Sequence, residues 1–256
     1  MIPDQKDDAL FQYLLRLGDN TLVLGHRVSE WCGVAPALEE DIALANTALD
    51  LIGQTQMWLG YSAEVESKDR NADELAFHRD VWDFRNLLLV EQTNGDFGKT
   101  IMRQFLFDAF NVLNLRALST SSDKRIAEIA AKSVKEVEYH LERSRETVIA
   151  LGDGTEESNK RMQAALDRLW PFAGEMFVID DVDTAMFDSG IGPDLAVLRK
   201  DWDAIATPVF NAAMLTKPDS DFAHQGGKSG NRHTEHLGHM LATMQFLPRA
   251  YPDARW

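Results

Sequence analysis

Leu10-Phe11-Gln12-Tyr13-Leu14-Leu15-Arg16-Leu17-Gly18-Asp19-Asn20-Thr21-Leu22-Val23-Leu24 decides the fold class. Leu10, Leu14, Leu17, Thr21 and Leu24 step by four and three, and the same step continues to Val28 and Trp31. Residues three and four apart share one side of a helix, so this spacing is a single long helical stripe. Gly33 ends the pattern, and Pro36 suits the first turn of a following helix, where the missing amide is not needed. From Leu38 to about Glu64 a second stripe runs through Leu44, Ala48, Leu51, Thr55 and Trp58.

A polar stretch from Ser67 to Asp73 follows, then a mixed segment that ends in the apolar run Phe84 to Val90. Thr93-Asn94-Gly95-Asp96 reads as a turn. A third stripe uses Ile101, Phe105, Asp108, Val112 and Leu115. After Ser121-Ser122-Asp123, which carries cap chemistry, a fourth uses Ile126, Ala130, Val134, Val137, Leu141 and Val148, closed by Gly152-Asp153-Gly154. Shorter helical patterns lie near 155–175, 180–188, 194–215 and 235–248. Strand-like alternation is scarce and no Gly/Ser-rich linker interrupts the chain.

The pattern predicts an all-α single domain over 1–256, with a core bundle over about 7–151 and a C-terminal helical extension over about 155–256. Short loops make each pair of long helices an antiparallel hairpin, and the 60–100 segment carries the chain from one pair to the other. A four-helix bundle with one long crossover is the ferritin-like topology.

Composition narrows the function. The chain has 256 residues, 45% hydrophobic and 26% charged, enough to bury a sizeable core. A formal net charge of -15 and a pI near 4.8 argue against nucleic acid, whose phosphates require a basic surface. The same charge could steer the chain toward a basic partner. The single cysteine, Cys32, excludes an intramolecular disulfide and fits a reducing compartment; it reads as an inert buried thiol. Met1-Ile2-Pro3-Asp4-Gln5-Lys6-Asp7-Asp8 holds acids where a secretory leader needs a basic region, and no apolar run approaches a membrane span. The expectation is a cytoplasmic protein with no membrane and no nucleic-acid partner.

Ferritin-like bundles build a metal pair from one carboxylate and one Glu-x-x-His on each hairpin. Asp108 and the Val137-x-x-His140 step occupy those places in the second hairpin, 137 − 108 = 29 residues apart. Thr21 and the Leu51-x-x-Gln54 step occupy them in the first, 51 − 21 = 30 apart. An acid on an apolar stripe is costly unless it is paired or bound to a cation. The leading expectation is therefore an Asp108–His140 pair inside the core, with the carboxyl held low by mutual attraction against desolvation. A retained single-metal site is the alternative. Glu136 and Glu138 flank the stripe and are expected to be solvated or paired with Lys135 and Arg143.

His233, His236 and His239 step by three near the C-terminus, a spacing compatible with zinc or iron. No third ligand and supporting shell can be read beside them, and a polar surface or a contact with another chain is the plainer expectation. The Gly226-Gly227-Lys228-Ser229-Gly230 loop lacks the strand and Ser/Thr context of a P-loop. Trp31, Trp58, Trp82, Trp170 and Trp202 read as core or interface anchors. Neither a dinucleotide fingerprint nor a nucleophile elbow is present, so any reductase belongs to another chain.

Several longer segments carry a resemblance: Leu17-Gly18-Asp19-Asn20, Ser29-Glu30-Trp31-Cys32-Gly33, Leu44-Ala45-Asn46, Asp50-Leu51-Ile52-Gly53-Gln54, Asn86-Leu87-Leu88-Leu89-Val90-Glu91-Gln92, Lys135-Glu136-Val137-Glu138-Tyr139-His140 and His233-Thr234-Glu235-His236-Leu237-Gly238. Together they make the chain similar, over nearly its whole length, to the C-subunit family of bacterial phenylacetyl-CoA epoxidases. The resemblance implies a ferritin-like subunit that binds and supports a related, catalytic, di-iron A subunit. It implies ring epoxidation of phenylacetyl-CoA with O₂ and reducing equivalents by the assembly, together with other oxygenase components and a reductase. In the catalytic paralogue a stretch like 50–54 reads Asp-Glu-x-Gly-His, so Leu51 and Gln54 replace two ligands, Val137 a third and Thr21 a fourth. Asp108 and His140 match ligand positions that survive. The expectation is no catalytic residue, no metal and no cofactor in this chain. Because that substrate carries CoA phosphates, Lys228, His233 and His236 are candidate contacts to CoA or to another subunit. Two other readings stay open: a metal-dependent oxidoreductase using Asp108/His140 or the C-terminal histidines, and a free-standing homodimeric binding protein.

Overall fold

Each stripe buries one face and needs a second layer to bury it against. The computed structural model describes residues 3–252 and 254, with side chains from residue 8 onward. In it the first two stripes form α1 (Pro3–Ser29) and α2 (Leu38–Glu66). The crossover holds two short helices, α3 (Ala72–Phe77) and α4 (Leu88–Glu91), and the second hairpin is α5 (Phe97–Leu118) and α6 (Lys124–Gly152). The extension adds α7 (Glu156–Ala173), α8 (Asp181–Asp188), α9 (Leu195–Ala212), α10 (Glu235–Met244) and α11 (Phe246–Ala250). No strand occurs among the described residues, and the architecture is all-α and ferritin-like. Met1 and Ile2 of the stretch read for a leader lie outside the described residues, as do Asp253, Arg255 and Trp256 of the expected domain span.

Local chemistry sets the ends of these helices. Asp96 opens α5 by accepting from the Lys99 amide (2.8 Å), after a turn whose Gly95 sits at φ +62. Asp123 opens α6 by accepting from the amides of Arg125 (2.9 Å) and Ile126 (3.0 Å), and Tyr61 of α2 donates to its other oxygen at 2.7 Å. The first loop departs from the sequence expectation at both ends. α1 stops at Ser29, and Trp31 leaves the helix to donate its indole N–H to Thr100 Oγ1 (3.0 Å). The Asp41 carboxylate then captures the amides of Gly33 (2.7 Å) and Ala35 (3.4 Å), so the turn is extended and Pro36 lies before α2 rather than in its first turn.

α1 pairs with α2, α5 pairs with α6, and α2 meets α6 across the hairpins. The extension closes over what remains. α7 and α9 cover α5, α8 covers α1, and the Trp202 indole of α9 donates to Leu106 O of α5 at 3.1 Å. As a result α1 and α5 are enclosed along most of their length, while α2 and α6 keep one face on the surface. Among the described residues no helix is long and apolar enough to cross a membrane. The expected burial of Cys32 fails, because the extended first loop carries the thiol out to the surface. Trp82, in the crossover, is 63% exposed and so anchors no core.

Candidate functional site

The six positions of the would-be metal site lie on the four long helices and all are buried: Thr21, Leu51, Gln54, Asp108, Val137 and His140. In the first hairpin these positions hold hydroxyls and hydrocarbon. Thr21 Oγ1 lies 2.8 Å from Thr55 Oγ1 and 3.0 Å from Gly18 O, and Thr55 Oγ1 donates to Leu51 O at 2.9 Å. Leu51 fills its place with a side chain that is 1% exposed. In the second hairpin, Val137 is fully enclosed and Asp108 keeps two neutral donors, Gln104 Nε2 (2.7 Å) and Ser144 Oγ (2.9 Å).

The expected Asp108–His140 pair does not form. The His140 ring turns across to α2, where its Nε2 meets Asp50 Oδ2 at 2.9 Å, and beside it Gln54 Nε2 donates to Glu136 Oε2 at 3.0 Å. Asp50 and Gln54 are one turn apart on α2, as Glu136 and His140 are on α6, so the two contacts form one clasp between the hairpins. The expected lowering of the Asp108 carboxyl also fails in sign. Burial pushes it up to about 6, against the opposing pull of His140, Ser144 and Gln104. Glu138 is exposed, as expected, and pairs with Arg116 at 2.7 Å, while Arg143 pairs with Glu40.

These residues do not fit a pair of iron ions. Two irons need several carboxylates to offset their charge, and this set offers one enclosed carboxylate already bonded at both oxygens. Leu51 and Val137 turn hydrocarbon toward the site, and Thr21 is committed to Thr55 and the backbone. Among the described residues, no three His, Cys, Asp or Glu side chains converge as metal ligands. Gln54 Oε1, Gln104 Oε1 and His140 Nδ1 are buried without a hydrogen-bond partner. A narrow cavity of about 50 Å³ borders Thr21, Asn20, Trp58 and Asn111, room for a few waters.

The C-terminal histidines do not act together. His233 precedes α10 and is enclosed, its Nδ1 2.6 Å from Glu91 Oε1 and its Nε2 3.2 Å from Phe84 O. His236 and His239 lie on α10, half-buried and exposed. The Gly226–Gly230 loop does cradle an anion, but the anion is internal. Glu175 Oε1 accepts from the amides of Gly226 (2.9 Å), Gly227 (2.7 Å) and Lys228 (3.3 Å), and its Oε2 accepts from the Leu88 amide (2.8 Å). Burial raises the Glu175 carboxyl while those amides oppose the rise. Lys228 is itself interior: its ammonium donates to Val178 O and Asp183 Oδ2. Asp183 also accepts from Arg16 at 3.1 Å.

Residues to which sequence reading attached no role hold the crossover in place. Asp19, fully enclosed, pairs with Arg79 through both oxygens and accepts the Arg85 amide at 2.8 Å. Asn20 Oδ1 takes the Leu87 amide at 2.8 Å. Glu91 accepts four bonds, from Asn86 Nδ2 (2.9 Å), His233, Thr234 N (2.7 Å) and Thr234 Oγ1 (2.7 Å). The available signal was the polar pair Asp19-Asn20, set just before the apolar run Leu22-Val23-Leu24 of α1.

A family model described as "Phenylacetic acid catabolic protein" matches residues 1–256. The chain is also similar to the C subunit of the 1,2-phenylacetyl-CoA epoxidase of Escherichia coli (strain K12), 48% identical over 249 residues that cover 97% of this chain and 100% of that relative. With a full-length family match and a full-length relative at that identity, the chain belongs to the phenylacetic acid catabolic protein family.

Proposed function

We propose that this chain is the non-catalytic, structural subunit of a multicomponent phenylacetyl-CoA 1,2-epoxidase of the cytoplasm. In this reading it binds the related A subunit, where the di-iron centre is expected, and stabilises that chain while other components and a reductase deliver electrons. The observation that carries the proposal is the replacement of ligand chemistry at four of the six positions, Thr21, Leu51, Gln54 and Val137, by contacts that bond or pack internally. A bundle whose one enclosed carboxylate at these positions, Asp108, already accepts from Gln104 and Ser144 needs no cation to hold it together. It can therefore keep the long-helix scaffold of its paralogue as a binding body.

Metal analysis and co-elution test this reading. The purified single chain should carry no stoichiometric iron and should co-elute with the A subunit when the two are expressed together. Near-stoichiometric iron in the lone chain would overturn it, and so would failure of the two proteins to associate. Asp108→Ala should shift stability or assembly and leave turnover of the reconstituted complex within about twofold. Lost turnover in an intact complex would place Asp108 in the chemistry instead.

A further inference from the structure

Four arginines are enclosed among the described residues, and three of them meet a carboxylate. Arg16 pairs with Asp180 at 2.6 Å, Arg27 with Glu30 at 2.8 Å, and Arg79 with Asp19. Arg103 is the most deeply enclosed of the four and meets none among the described residues. Its Nη1 donates to Gln92 O and its Nη2 to Asn94 Oδ1 at 2.8 Å, while its Nε is buried without a partner. A buried charge whose only partners are neutral carbonyls costs stability unless opposite charge comes close.

More positive charge gathers at the same turn. Lys99 Nζ donates to Thr93 Oγ1 at 3.1 Å, and its stem lies over Gly95, where an added Cβ would meet Lys99 Cδ at 2.9 Å. Asn94 ties in the end of α1, its Nδ2 donating to Arg27 O at 2.7 Å and to Glu30 Oε2 at 2.9 Å. Arg168, exposed on α7, lies close enough to act on the Lys99 ammonium. Burial, and then Arg168 and Arg103, push that ammonium down to about 8. The carboxylates that act on Lys99 and Arg103 are Asp96 and Glu30.

Charge and access choose the ligand. Arg27, Lys99, Arg103 and Arg168 face Asp96 and Glu30, so two positive charges go unanswered in a chain whose net charge is -15. Glu30 is already taken up by Arg27 and Asn94, and Asp96 by the Lys99 amide. Arg27 and Arg103 are enclosed, whereas Lys99 is half-buried and Arg168 exposed, so an incoming anion meets these two. A single carboxylate would leave half of the excess standing. A phosphate group carries ~1.5 to 2 negative charges at neutral pH and three acceptor oxygens, enough for an ammonium, a guanidinium and the Thr93 hydroxyl.

We propose that Lys99 and Arg168, with Thr93 beside them and the enclosed Arg103 charge behind, form a surface site for a phosphate group, as free phosphate or a phosphate monoester. The test titrates the purified full chain with inorganic phosphate and with glycerol phosphate by calorimetry, at constant ionic strength because salt screens exposed charges. Wild type should bind at least one of the two, and that ligand should raise its unfolding temperature more than chloride does. Lys99→Gln and Arg168→Gln should each weaken binding about tenfold, through loss of a charge-assisted contact. Arg116→Gln, which removes an exposed charge in the last turn of α5, should bind like wild type. Because Arg168 is exposed, its variant should unfold at the wild-type temperature when no ligand is present. Binding of the ester alone would support an organic ligand, and binding of both a site that reads the phosphate group only. Absence of phosphate binding by wild type, equal binding by all three variants, or acetate held as tightly as phosphate would overturn the proposal.

Discussion

Asp19 and Asp108 are both aspartates enclosed between helices, and their surroundings differ in kind. Asp19 receives a guanidinium at both oxygens and a backbone amide besides, and Glu91 nearby receives four donors. Asp108 receives only a primary amide and a hydroxyl. At the crossover the buried charge is answered and works as an anchor for residues far away in sequence. At the centre of the bundle it is answered only in part, which is why burial raises Asp108 to about 6 and why Gln54, Gln104 and His140 keep unpartnered atoms nearby. A buried carboxylate, then, is evidence of neither metal nor stability until its donors are counted.

The largest expected effect lies at the anchor. Asp19→Ala would leave Arg79 enclosed without its counter-charge and free the Arg85 amide, and losing one partner of a buried pair costs about 3–5 kcal/mol. Denaturant unfolding of the lone chain measures it. A loss under about 1 kcal/mol would mean that the crossover is held by its apolar contacts and that the contrast with Asp108 is false.

Next in size is the pH profile of Asp108. Its folded carboxyl sits near 6, above the ~3.9 of an unfolded aspartate, so the folded state binds the proton more tightly. The stabilisation this provides is fully present below about pH 4 and is lost as pH rises through about 6. The total is on the order of 3 kcal/mol. Asp108→Asn removes the ionisation while keeping the shape, so the stability difference between variant and wild type should grow across that window in the variant's favour. A difference independent of pH from 4 to 7 would show that Asp108 is as well answered as Asp19.

The stripes were legible because every third or fourth residue obeys one rule, and the four long helices follow from it. The six positions weighed as a ligand set came from spacing and resemblance together, and the structure buries all of them on the four long helices. Their actual partners were not legible. Gln104 stands one turn from Asp108 and was within reach of the helical rule, but Ser144, and Asp50 for His140, depend on how the helices slide past one another. That register is settled by packing over the whole bundle and leaves no local mark. The same holds for Glu91 and His233, 142 residues apart, and for the glycine loop, whose sequence says nothing of the Glu175 carboxylate that its amides receive.

The smallest effect asks how tightly the hydroxyls of the first hairpin are coupled. Thr21 and Thr55 satisfy each other at 2.8 Å, and each also reaches a carbonyl of its own helix. Thr21→Val should cost about 1 kcal/mol, the usual net value of such a bond. Thr55→Val should cost about the same. Replacing both removes the need along with the bond, because two apolar groups of that shape leave no enclosed hydroxyl facing hydrocarbon. The double variant should therefore lose less than the two singles together, a coupling that a double-mutant cycle reads directly. Simple additivity would mean that each hydroxyl is held by its own helix alone. The first hairpin would then resemble the Asp108 side, a set of separate local contacts rather than one contact shared between α1 and α2.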